Sequence, residues 1–409
     1  MRILIVTVYY PPVISSLSIM MQEVAENLSQ IGHDVTVATA KPHVDLSLTK
    51  KQLAIGFNTF SIENKISVIR VKTPPLKSNM YFLRGLIQLL LPYIFYKQIY
   101  KYSSNGFDTV MISTPPLPLT KIGRMMKKNF KSKFILFVQD IYPQSIIDIG
   151  AMKNKFLIKY FEKMAQSAYD TSDLLTSHTK GNRTYIVENN NISPNKISFI
   201  PNWIETSSYT AKHKTGFFRK KYNLENKFIF LFAGVIGLGQ GVELLIKSLV
   251  IAKTIPKDIC FLIVGEGSEK RNLENLVKNC HHDNIVFKPF VSLEDYPSLV
   301  NDADVGILCL DSRLKTPVVP GKLLGFMAAS LPVIALLNKV SDGHSIIKEA
   351  NCGYSIISDS KPEDINNLIL KMYNEKNMLP QYGENGYKYV IKHFKKDLCL
   401  DKINTLVTR

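Results

Sequence analysis

The sequence of 409 residues is poor in the residue pairs that bind metals or form disulfides. It contains no Cys-x-x-Cys, His-x-x-x-His or His-Glu-x-x-His pair, so no zinc site or other metal centre is predicted. The cysteines are odd in number and far apart, which excludes a disulfide framework and fits a reducing cytoplasm. They are Cys260, Cys280, Cys309, Cys352 and Cys399.

Long hydrophobic runs are also missing. The apolar run at residues 3–6 is too short for the core of a signal peptide. The most apolar stretch, residues 81–96, is shorter than the ~20 residues that cross a bilayer, and Arg84 and Pro92 interrupt it. We therefore expect neither a secretion signal nor a membrane-spanning helix.

Acidic residues are scarce, and the deficit is concentrated in one part of the chain. With 51 Lys and Arg against 34 Asp and Glu, the net charge is +17. Residues 66–133, here called the basic block, hold twelve basic side chains and one acid, Asp108. The basic residues are Arg70, Lys72, Lys77, Arg84, Lys97, Lys101, Lys121, Arg124, Lys127, Lys128, Lys131 and Lys133.

The apolar and aromatic residues 81–96 lie inside the basic block. This combination predicts peripheral contact with an anionic membrane surface. The alternative is a buried core helix with a basic outer face. A basic patch also attracts nucleic acid, but no recognition module accompanies it, so no nucleic-acid partner is predicted.

The rest of the sequence alternates strands with helices. It opens with a predicted strand at 2–8, a helix and a strand at 35–38, a βαβ unit that favours a parallel sheet. A polar linker at 205–215 precedes a second alternation. The predicted fold class is therefore α/β, with two doubly wound Rossmann-like domains facing each other across a cleft.

Further elements are predicted in both halves. The strands are expected at 66–71, 109–112, 134–138, 174–176, 197–200, 228–233, 259–264, 285–287, 304–308, 333–335 and 353–356. The chain is expected to end in helices at 362–373, 379–393 and 396–406.

Two turns are candidates for a diphosphate site. Lys322 stands in the first turn of a predicted helix that follows Gly321, where helix N–H groups and a lysine would bind an anion. An ordinary connection with a solvated lysine is the alternative. The glycine-rich turn at 234–241 follows a buried strand, and its Gly237 and Gly239 would allow close approach to a phosphate. Its spacing does not fit the dinucleotide fingerprint, which disfavours a nicotinamide cofactor.

Two acidic residues follow predicted strands at the carboxyl edges of their sheets, where α/β folds bind ligands. Asp140 follows the strand at 134–138 and is a candidate to contact a sugar hydroxyl or to act as a base. Asp342 and Gly343 follow the strand at 333–335 and are candidates to contact a sugar or phosphate. A plain helix N-cap is the alternative for each aspartate.

Six motifs in order resemble a family 4 glycosyltransferase of the two-domain GT-B fold, over nearly the whole chain. They are YYPP at 9–12, IGHDVTV at 31–37, IPNWI at 200–204, FAGVIGLGQG at 232–241, IVGEG at 263–267 and MAASLPVIA at 327–335. VQDIYPQS at 138–145 and VPGK at 319–322 further resemble bacterial surface-polysaccharide enzymes of the O-antigen fucosaminyl transferase type.

The resemblance implies a retaining, metal-independent glycosyltransferase that needs no cofactor. Its donor would be a nucleotide diphosphate sugar, expected to be UDP-linked and to carry an N-acetylated deoxyhexosamine such as fucosamine. Its acceptor would be a polyprenyl-diphosphate-linked glycan of O-antigen or capsule synthesis, at the inner face of the cell membrane. The implied domains are 1–203 for the acceptor and membrane, 204–385 for the nucleotide sugar, and 386–409 as a helix crossing back to the first domain.

The sequence departs from the family at the positions that hold the donor. Ser15 and Ser16 replace paired glycines after the first strand and are predicted to contact the ligand. Val235 and Gln240 stand where the family commonly has an Arg and a Lys for the diphosphate. The expected diphosphate contacts are therefore Lys322, Gln240 and the N–H groups of the turns at 237–241 and 321–323.

Two family glutamates are missing as well. Pro317 stands in place of the first, which holds the sugar, and Gly325 in place of the second, which holds the ribose. Glu243 and Glu266 are candidates for the ribose contact. Gly265 and Gly267, from one of the donor-domain motifs, are also predicted to contact the donor.

Two other functions use the same residues. A GT-B-like nucleotide-sugar 2-epimerase would use the same cleft, but needs carboxylates and histidines for acid–base work and no membrane patch. A membrane scaffold of polysaccharide assembly with a defective donor site is favoured by the missing glutamates. Binding of uridine nucleotides separates the scaffold from both enzymes.

Overall fold

The computed structural model describes residues 1–13, 15–42, 58–74, 81–209, 215–252, 255–280 and 282–409, with the backbone alone at 81–86. The chain divides into two compact units. Unit 1 comprises Met1–Gln144, Met152–Pro201 and Cys399–Arg409; unit 2 comprises Ser145–Ala151 and Asn202–Leu398.

Unit 1 is built on an eight-stranded sheet in the order β3-β4-β2-β1-β5-β6-β7-β8, within the described residues. All neighbouring strands are parallel except the edge hairpin of β3 and β4. The strands are β1 Arg2–Val6, β2 Asp34–Ala40, β3 Phe60–Glu63, β4 Ile66–Val71, β5 Thr109–Thr114, β6 Lys133–Val138, β7 Leu174–Ser177 and β8 Ile197–Phe199.

The described helices of unit 1 connect these parallel strands. They are Ser16–Gln30, Tyr81–Tyr102, Thr120–Phe130, Lys155–Thr171 and Lys180–Asn190, with short 3₁₀ turns at Leu117–Leu119 and Pro194–Lys196. The helix Lys396–Thr408 contributes the last segment of the unit, from Cys399 onward. Residues 386–398, expected in the returning segment, belong to unit 2.

Unit 2 is built on a parallel sheet of six strands in the order β11-β10-β9-β12-β13-β14, again within the described residues. The strands are β9 Phe228–Ala233, β10 Ile259–Val264, β11 Ile285–Lys288, β12 Val305–Cys309, β13 Val333–Leu337 and β14 Gly353–Ile357. Its described helices are Gln144–Asp148 (Gln144 itself lies in unit 1), Phe217–Lys221, Val242–Val250, Lys270–Asn279, Tyr296–Asn301, Lys322–Ala328, Gly343–Ala350, Pro362–Asn374 and Leu379–His393. Three 3₁₀ turns, Ser207–Tyr209, Leu238–Gln240 and Lys376–Met378, complete the unit.

The central strand β9 shows why unit 2 holds two apolar cores. Phe230 and Phe232 pack into one core, and Leu231 and Ala233 into another, because successive side chains of a strand point to opposite faces. A strand buried on both faces reads as a continuous apolar run. The predicted α/β class, with two Rossmann-like parallel sheets, is confirmed.

The apolar stretch at 81–96 belongs to one long helix, Tyr81–Tyr102, with Pro92 inside it. Leu91, Phe95 and Ile99 are buried at intervals of four residues, so one face of the helix is core. The opposite face exposes Leu90 by 55% and Tyr93 by 57%. The core-helix alternative is therefore confirmed for one face, while the predicted peripheral contact with a membrane concerns the exposed face and stays a prediction. Among the described residues, no helix is long and apolar enough to span a bilayer.

Candidate functional site

Lys322 lies at the carboxyl edge of the sheet of unit 2. Its helix, Lys322–Ala328, precedes β13, while the glycine-rich turn at 234–241 follows β9, two strands away in the sheet. The side chain reaches across this edge, and its Nζ donates to Gln240 Oε1 at 2.7 Å. The same Nζ lies 4.4 Å from the centre of the Phe232 ring, a cation–π distance.

The backbone of the glycine-rich turn makes room for this lysine. Gly234 has φ of +142°, and a Cβ built on it would lie 2.3 Å from Lys322 Cε. Because such a contact is prohibitive, a side chain at residue 234 would displace the lysine. The expectation of a solvated lysine is wrong: the stem packs against the turn and only the ammonium group remains for a ligand.

Burial lowers the pKa of Lys322 to about 8. The ammonium is therefore charged at neutral pH but poorly solvated, and among the described residues no carboxylate pairs with it. Gln240 satisfies one of its three N–H donors. The neighbouring Cys309 thiol stays neutral, because burial raises its pKa to about 12. An anion arriving here would meet a cation that is already fixed in place.

Several backbone donors predicted for the phosphates are already occupied. The N–H of Gln240 donates to Gly237 O at 3.0 Å, that of Gly241 to Leu238 O at 3.5 Å, and that of Leu323 to Pro320 O at 3.0 Å. For these three N–H groups the predicted phosphate contact is wrong. The faces of Gly237, Gly239 and Gly321 are open, since a Cβ built on each would meet at most one atom, no closer than 3.7 Å.

Gly265 and Gly267 serve the packing of two loops. Cβ atoms built on them would lie 1.8 Å from Gly234 O and 2.2 Å from Ile236 O. The loops are also joined by backbone hydrogen bonds, from Gly234 N to Val264 O at 2.8 Å and from Ile236 N to Glu266 O at 2.9 Å. This close approach accounts for both glycines and fixes the turn that faces Lys322.

The two glutamates considered for the ribose are engaged in ion pairs. Glu243 Oε1 lies 2.6 Å from Lys247 Nζ, and Glu266 Oε1 lies 2.7 Å from Lys270 Nζ. In each pair the two residues are four apart in sequence, a spacing that brings side chains together along a helix.

The segment after β13 is anchored within its own fold. Asp342 directly precedes the helix Gly343–Ala350, and its carbonyl accepts from Ile346 N at 3.1 Å, although its side chain makes no capping hydrogen bond. A Cβ on Gly343 would lie 2.7 Å from Leu337 Cδ1. Ser341 Oγ accepts from Gly343 N at 3.1 Å and donates to Val318 O. Helix initiation and packing thus explain this segment.

The other predicted residues belong to unit 1. Asp140 is exposed after β6 and has no side-chain hydrogen bond among the described residues; the next helix begins only at Gln144, so the N-cap alternative is wrong. Ser15 is itself an N-cap, because its Oγ accepts from Ser18 N at 3.1 Å. Ser16 is exposed at the first position of the same helix. In unit 2, by contrast, the structure brings Lys322 and Gln240 into direct contact.

Sequence reasoning missed Phe232 as part of this site. It stands inside a plain apolar strand, and only the sheet order shows that the lysine passes over its ring. Among the described residues, no group of three or more His, Cys, Asp or Glu side chains could hold a metal ion.

Sequence comparisons find similarity to glycosyltransferases. Residues 214–389, within unit 2, match the family model of glycosyl transferases group 1. An uncharacterized glycosyltransferase of Methanocaldococcus jannaschii is 23% identical over 303 residues, covering 73% of this chain and 74% of its own. A Campylobacter jejuni 4-alpha-N-acetylgalactosaminyltransferase, named for an acceptor on diphospho-undecaprenol, is 28% identical over 196 residues, 46% of this chain and 48% of its own.

Solved structures share the architecture of the whole chain. Sucrose-phosphate synthase of Thermosynechococcus elongatus aligns with a TM-score of 0.78 at 14% identity, covering 99% of this chain and 98% of its own. Anabaena HepE in complex with UDP aligns with a TM-score of 0.69 at 13% identity over 100% of both chains. WaaG, a glycosyltransferase involved in lipopolysaccharide biosynthesis, aligns at 0.68 and 16% identity, covering 98% and 99%. The chain thus has the GT-B fold, and its residues 214–389 are similar to the glycosyl transferases group 1 family.

Proposed function

We propose that this protein transfers a sugar from a UDP-linked donor to a polyprenyl-diphosphate-linked glycan, with retention of anomeric configuration and without a metal. The observation that carries the proposal is the ammonium group of Lys322, held by Gln240 at the glycine-rich turn. It is the kind of fixed cation that a departing diphosphate requires.

The reaction breaks the bond between the anomeric carbon and a diphosphate oxygen, and negative charge grows on the leaving group. A positioned cation in a poorly solvated setting stabilises that charge more than it stabilises the bound donor. Lys322 fits this task, because its stem is packed against Gly234 and its Nζ is oriented before any ligand arrives. Asp140, exposed and without a hydrogen-bond partner among the described residues, is the candidate to contact the incoming sugar hydroxyl.

The substrates are inferred from relatives and from sequence motifs. The Campylobacter enzyme is named for a glycan on diphospho-undecaprenol, which supports a polyprenyl acceptor in surface polysaccharide synthesis for this chain. HepE binds UDP, which supports a uridine donor. A donor sugar of the N-acetylated deoxyhexosamine class, such as fucosamine, rests on the motifs at 138–145 and 319–322.

A lipid-linked acceptor calls for a surface that meets the membrane. In unit 1, Leu90 and Tyr93 are exposed on one helix, and Phe156, Leu157 and Tyr160 on the helix Lys155–Thr171, with Phe156 exposed by 86%. The two sets are joined by basic residues: Lys121 Nζ lies 5.9 Å from the Tyr93 ring centre, and Lys121, Arg124, Tyr160 and Lys163 line one groove of ≈ 320 Å³. We call this surface the basic-aromatic face.

The basic-aromatic face has the composition of an interfacial membrane contact. Each Lys or Arg near an anionic surface contributes about 1 kcal/mol, and exposed aromatic rings favour the lipid–water interface. Two members of the basic block do not take part: Lys127 Nζ pairs with Asp173 at 2.5 Å, and Lys133 Nζ donates to Leu406 O at 2.9 Å. We place the face at the inner leaflet of the cell membrane.

The function is tested by exchanging the lysine and the glutamine that contact each other. Lys322→Met keeps the stem and removes the charge, so turnover with a polyprenyl-diphosphate sugar and affinity for UDP should fall by ~10²-fold or more. The double variant Lys322→Gln, Gln240→Lys restores one cation at the turn and should recover part of the affinity for UDP.

The matched control is Lys348→Met, a lysine in the last turn of the helix Gly343–Ala350 of the same unit. It should leave UDP binding unchanged. Unaltered turnover in Lys322→Met would contradict the diphosphate role. Release of UDP without any acceptor, together with a change of the free donor, would instead identify the epimerase.

A further inference from the structure

Gly325 lies one helical turn beyond Lys322 on the same face of the helix Lys322–Ala328. Gly325 has no side chain, and the hydroxyl groups of two tyrosines lie next to the position that a side chain would occupy. A Cβ built on Gly325 would lie 3.4 Å from Tyr209 Oη and 3.8 Å from Tyr296 Oη. Three segments far apart in sequence thus place two phenol hydroxyls beside Gly325, three residues along the helix from Lys322.

Both hydroxyls have unused hydrogen-bonding capacity. Among the described residues, neither Tyr209 Oη nor Tyr296 Oη has a hydrogen-bond partner, while their rings pack against the core of unit 2. Burial raises the pKa of Tyr209 to about 12 and also raises the pKa of Tyr296. Both phenols are therefore neutral at physiological pH, and each can donate and accept one hydrogen bond or more.

We propose that Tyr209 and Tyr296 bind the ribose hydroxyls of the nucleotide, and this inference rests on the proposed diphosphate role of Lys322. In a nucleoside diphosphate the ribose is bonded directly to the diphosphate, so a diphosphate bound at Lys322 places the ribose close to this helix. A vicinal diol needs partners that both donate and accept, and a pair of phenols supplies them. Glu243 and Glu266 each form an ion pair with a lysine four residues away, whereas neither phenol has a hydrogen-bond partner among the described residues.

The transferred sugar carries the same hydroxyl chemistry as the ribose. The ribose and the transferred sugar extend from opposite ends of the diphosphate. The one that extends along the helix from Lys322 toward Gly325 would contact the two phenols. We assign the ribose, because a nucleotide pocket must recognise its sugar in the donor and in the UDP product alike. Binding of UDP, which contains only the ribose, distinguishes the two rings.

The experiment measures affinities of the full chain by calorimetry for UDP, 2′-deoxy-UDP, 3′-deoxy-UDP and inorganic pyrophosphate. Tyr296→Phe and Tyr209→Phe each remove a single hydroxyl and leave the packed ring. Each variant should bind UDP about 3- to 10-fold more weakly, the range for one lost hydrogen bond. Affinity for pyrophosphate should not change. The preference for UDP over one deoxy analogue should shrink by the same factor in the variant.

Tyr222→Phe is the control, a tyrosine that packs against the same core but is not among the atoms nearest Gly325. Equal losses for UDP and both deoxy analogues would overturn the ribose assignment, since they would report only on packing. A loss for the intact donor but not for UDP would overturn it in favour of the transferred sugar. If the unaltered protein binds pyrophosphate but shows no gain for UDP, the inference fails and the lysine site stands. If the unaltered protein binds neither pyrophosphate nor UDP, the ribose inference and the diphosphate role of Lys322 both fail.

Discussion

Lys322 shows what a single residue does when it is placed in a poorly solvated site. Its amino group is held by Gln240 and an aromatic ring rather than by a carboxylate. An ion pair would have neutralised the lysine, whereas an amide oxygen orients it and leaves its charge uncompensated. This arrangement supports the proposed binding of an anion.

The lowered pKa of Lys322 has a consequence for the stability of the empty protein. The folded-state pKa of about 8 lies below the ordinary 10.5, so the folded chain releases this proton before the unfolded chain does. The contribution of this group to the free energy of unfolding is therefore unfavourable below pH 8 and is relieved as pH rises from 8 to 10.5.

The same pKa predicts the pH dependence of ligand binding. If bound UDP requires the protonated lysine, its affinity should fall about twofold between pH 7 and 8 and about tenfold by pH 9. Titration calorimetry in buffers matched for ionic strength measures this. Lys322→Arg carries a permanent charge and should flatten the decline. A wild-type affinity that stays level to pH 9.5 would show that the charge of Lys322 does not matter.

At the scale of single residues, the sequence predicts the position of Lys322 in its helix but not the side chains that surround it. The position of Lys322 in a first helical turn is readable from Gly321 and the following apolar spacing. Its contact with Gln240, however, joins residues 82 positions apart, and requires the order of β9, β12 and β13. The two tyrosines at Gly325 come from a 3₁₀ turn and a six-residue helix that carry no signal of a binding site.

Among the elements, buried strands are the most predictable. Strands β9 and β10 agree with prediction to the residue, because continuous apolar runs bounded by turn residues admit few alternatives. Strand β3 was not predicted. Its residues Phe60–Glu63 alternate between exposed and half-buried at a sheet edge, and Asn64 and Lys65 turn the chain with positive φ. Such a hairpin depends on pairing with β4 and hardly on hydrophobicity.

The helix Tyr81–Tyr102 tests the proposed membrane contact. Leu90→Ser with Tyr93→Ser removes exposed apolar surface from the basic-aromatic face, so binding to anionic vesicles should weaken about tenfold while the fold survives. Phe95→Ser removes a fully buried ring and should unfold unit 1. Vesicle sedimentation and circular dichroism measure the two effects.

The control for the vesicle experiment is Leu293→Ser, an exposed apolar residue of unit 2. It should leave vesicle binding unchanged. Wild-type binding should also decline in high salt, because a Debye length of ~3 Å at 1 M salt screens the basic side chains. Undiminished sedimentation of the double variant would show that this face does not enter the membrane.

For the whole molecule, the last helix ties the end of the chain to unit 1. Leu400, Ile403 and Leu406 are buried, and Lys133 Nζ donates to Leu406 O at 2.9 Å. Lys402 Nζ lies 5.6 Å from the Phe199 ring centre, beside β8. The family resemblance predicted a last segment that returns to the first domain, and the contacts that group it with unit 1, from Cys399 onward, span more than two hundred residues.

This arrangement predicts that damage to the last helix is felt first in unit 1. Leu406→Ala should lower the free energy of unfolding of unit 1 by ~2–5 kcal/mol. The single tryptophan, Trp203, lies in unit 2, so its fluorescence reports on that unit while circular dichroism reports on both. In urea, the circular dichroism transition should move to lower concentration and the fluorescence transition should stay. Asp401→Ala, exposed on the same helix, should move neither.

The division of the chain also fixes an order of events during synthesis. Residues 399–409 leave the ribosome after every residue of unit 2, yet they fill part of the core of unit 1. Unit 1, although translated first, cannot complete its core until translation has passed through the other unit. While about two hundred residues are made, the apolar surface that Leu400, Ile403 and Leu406 later cover stays accessible to chaperones and to neighbouring nascent chains.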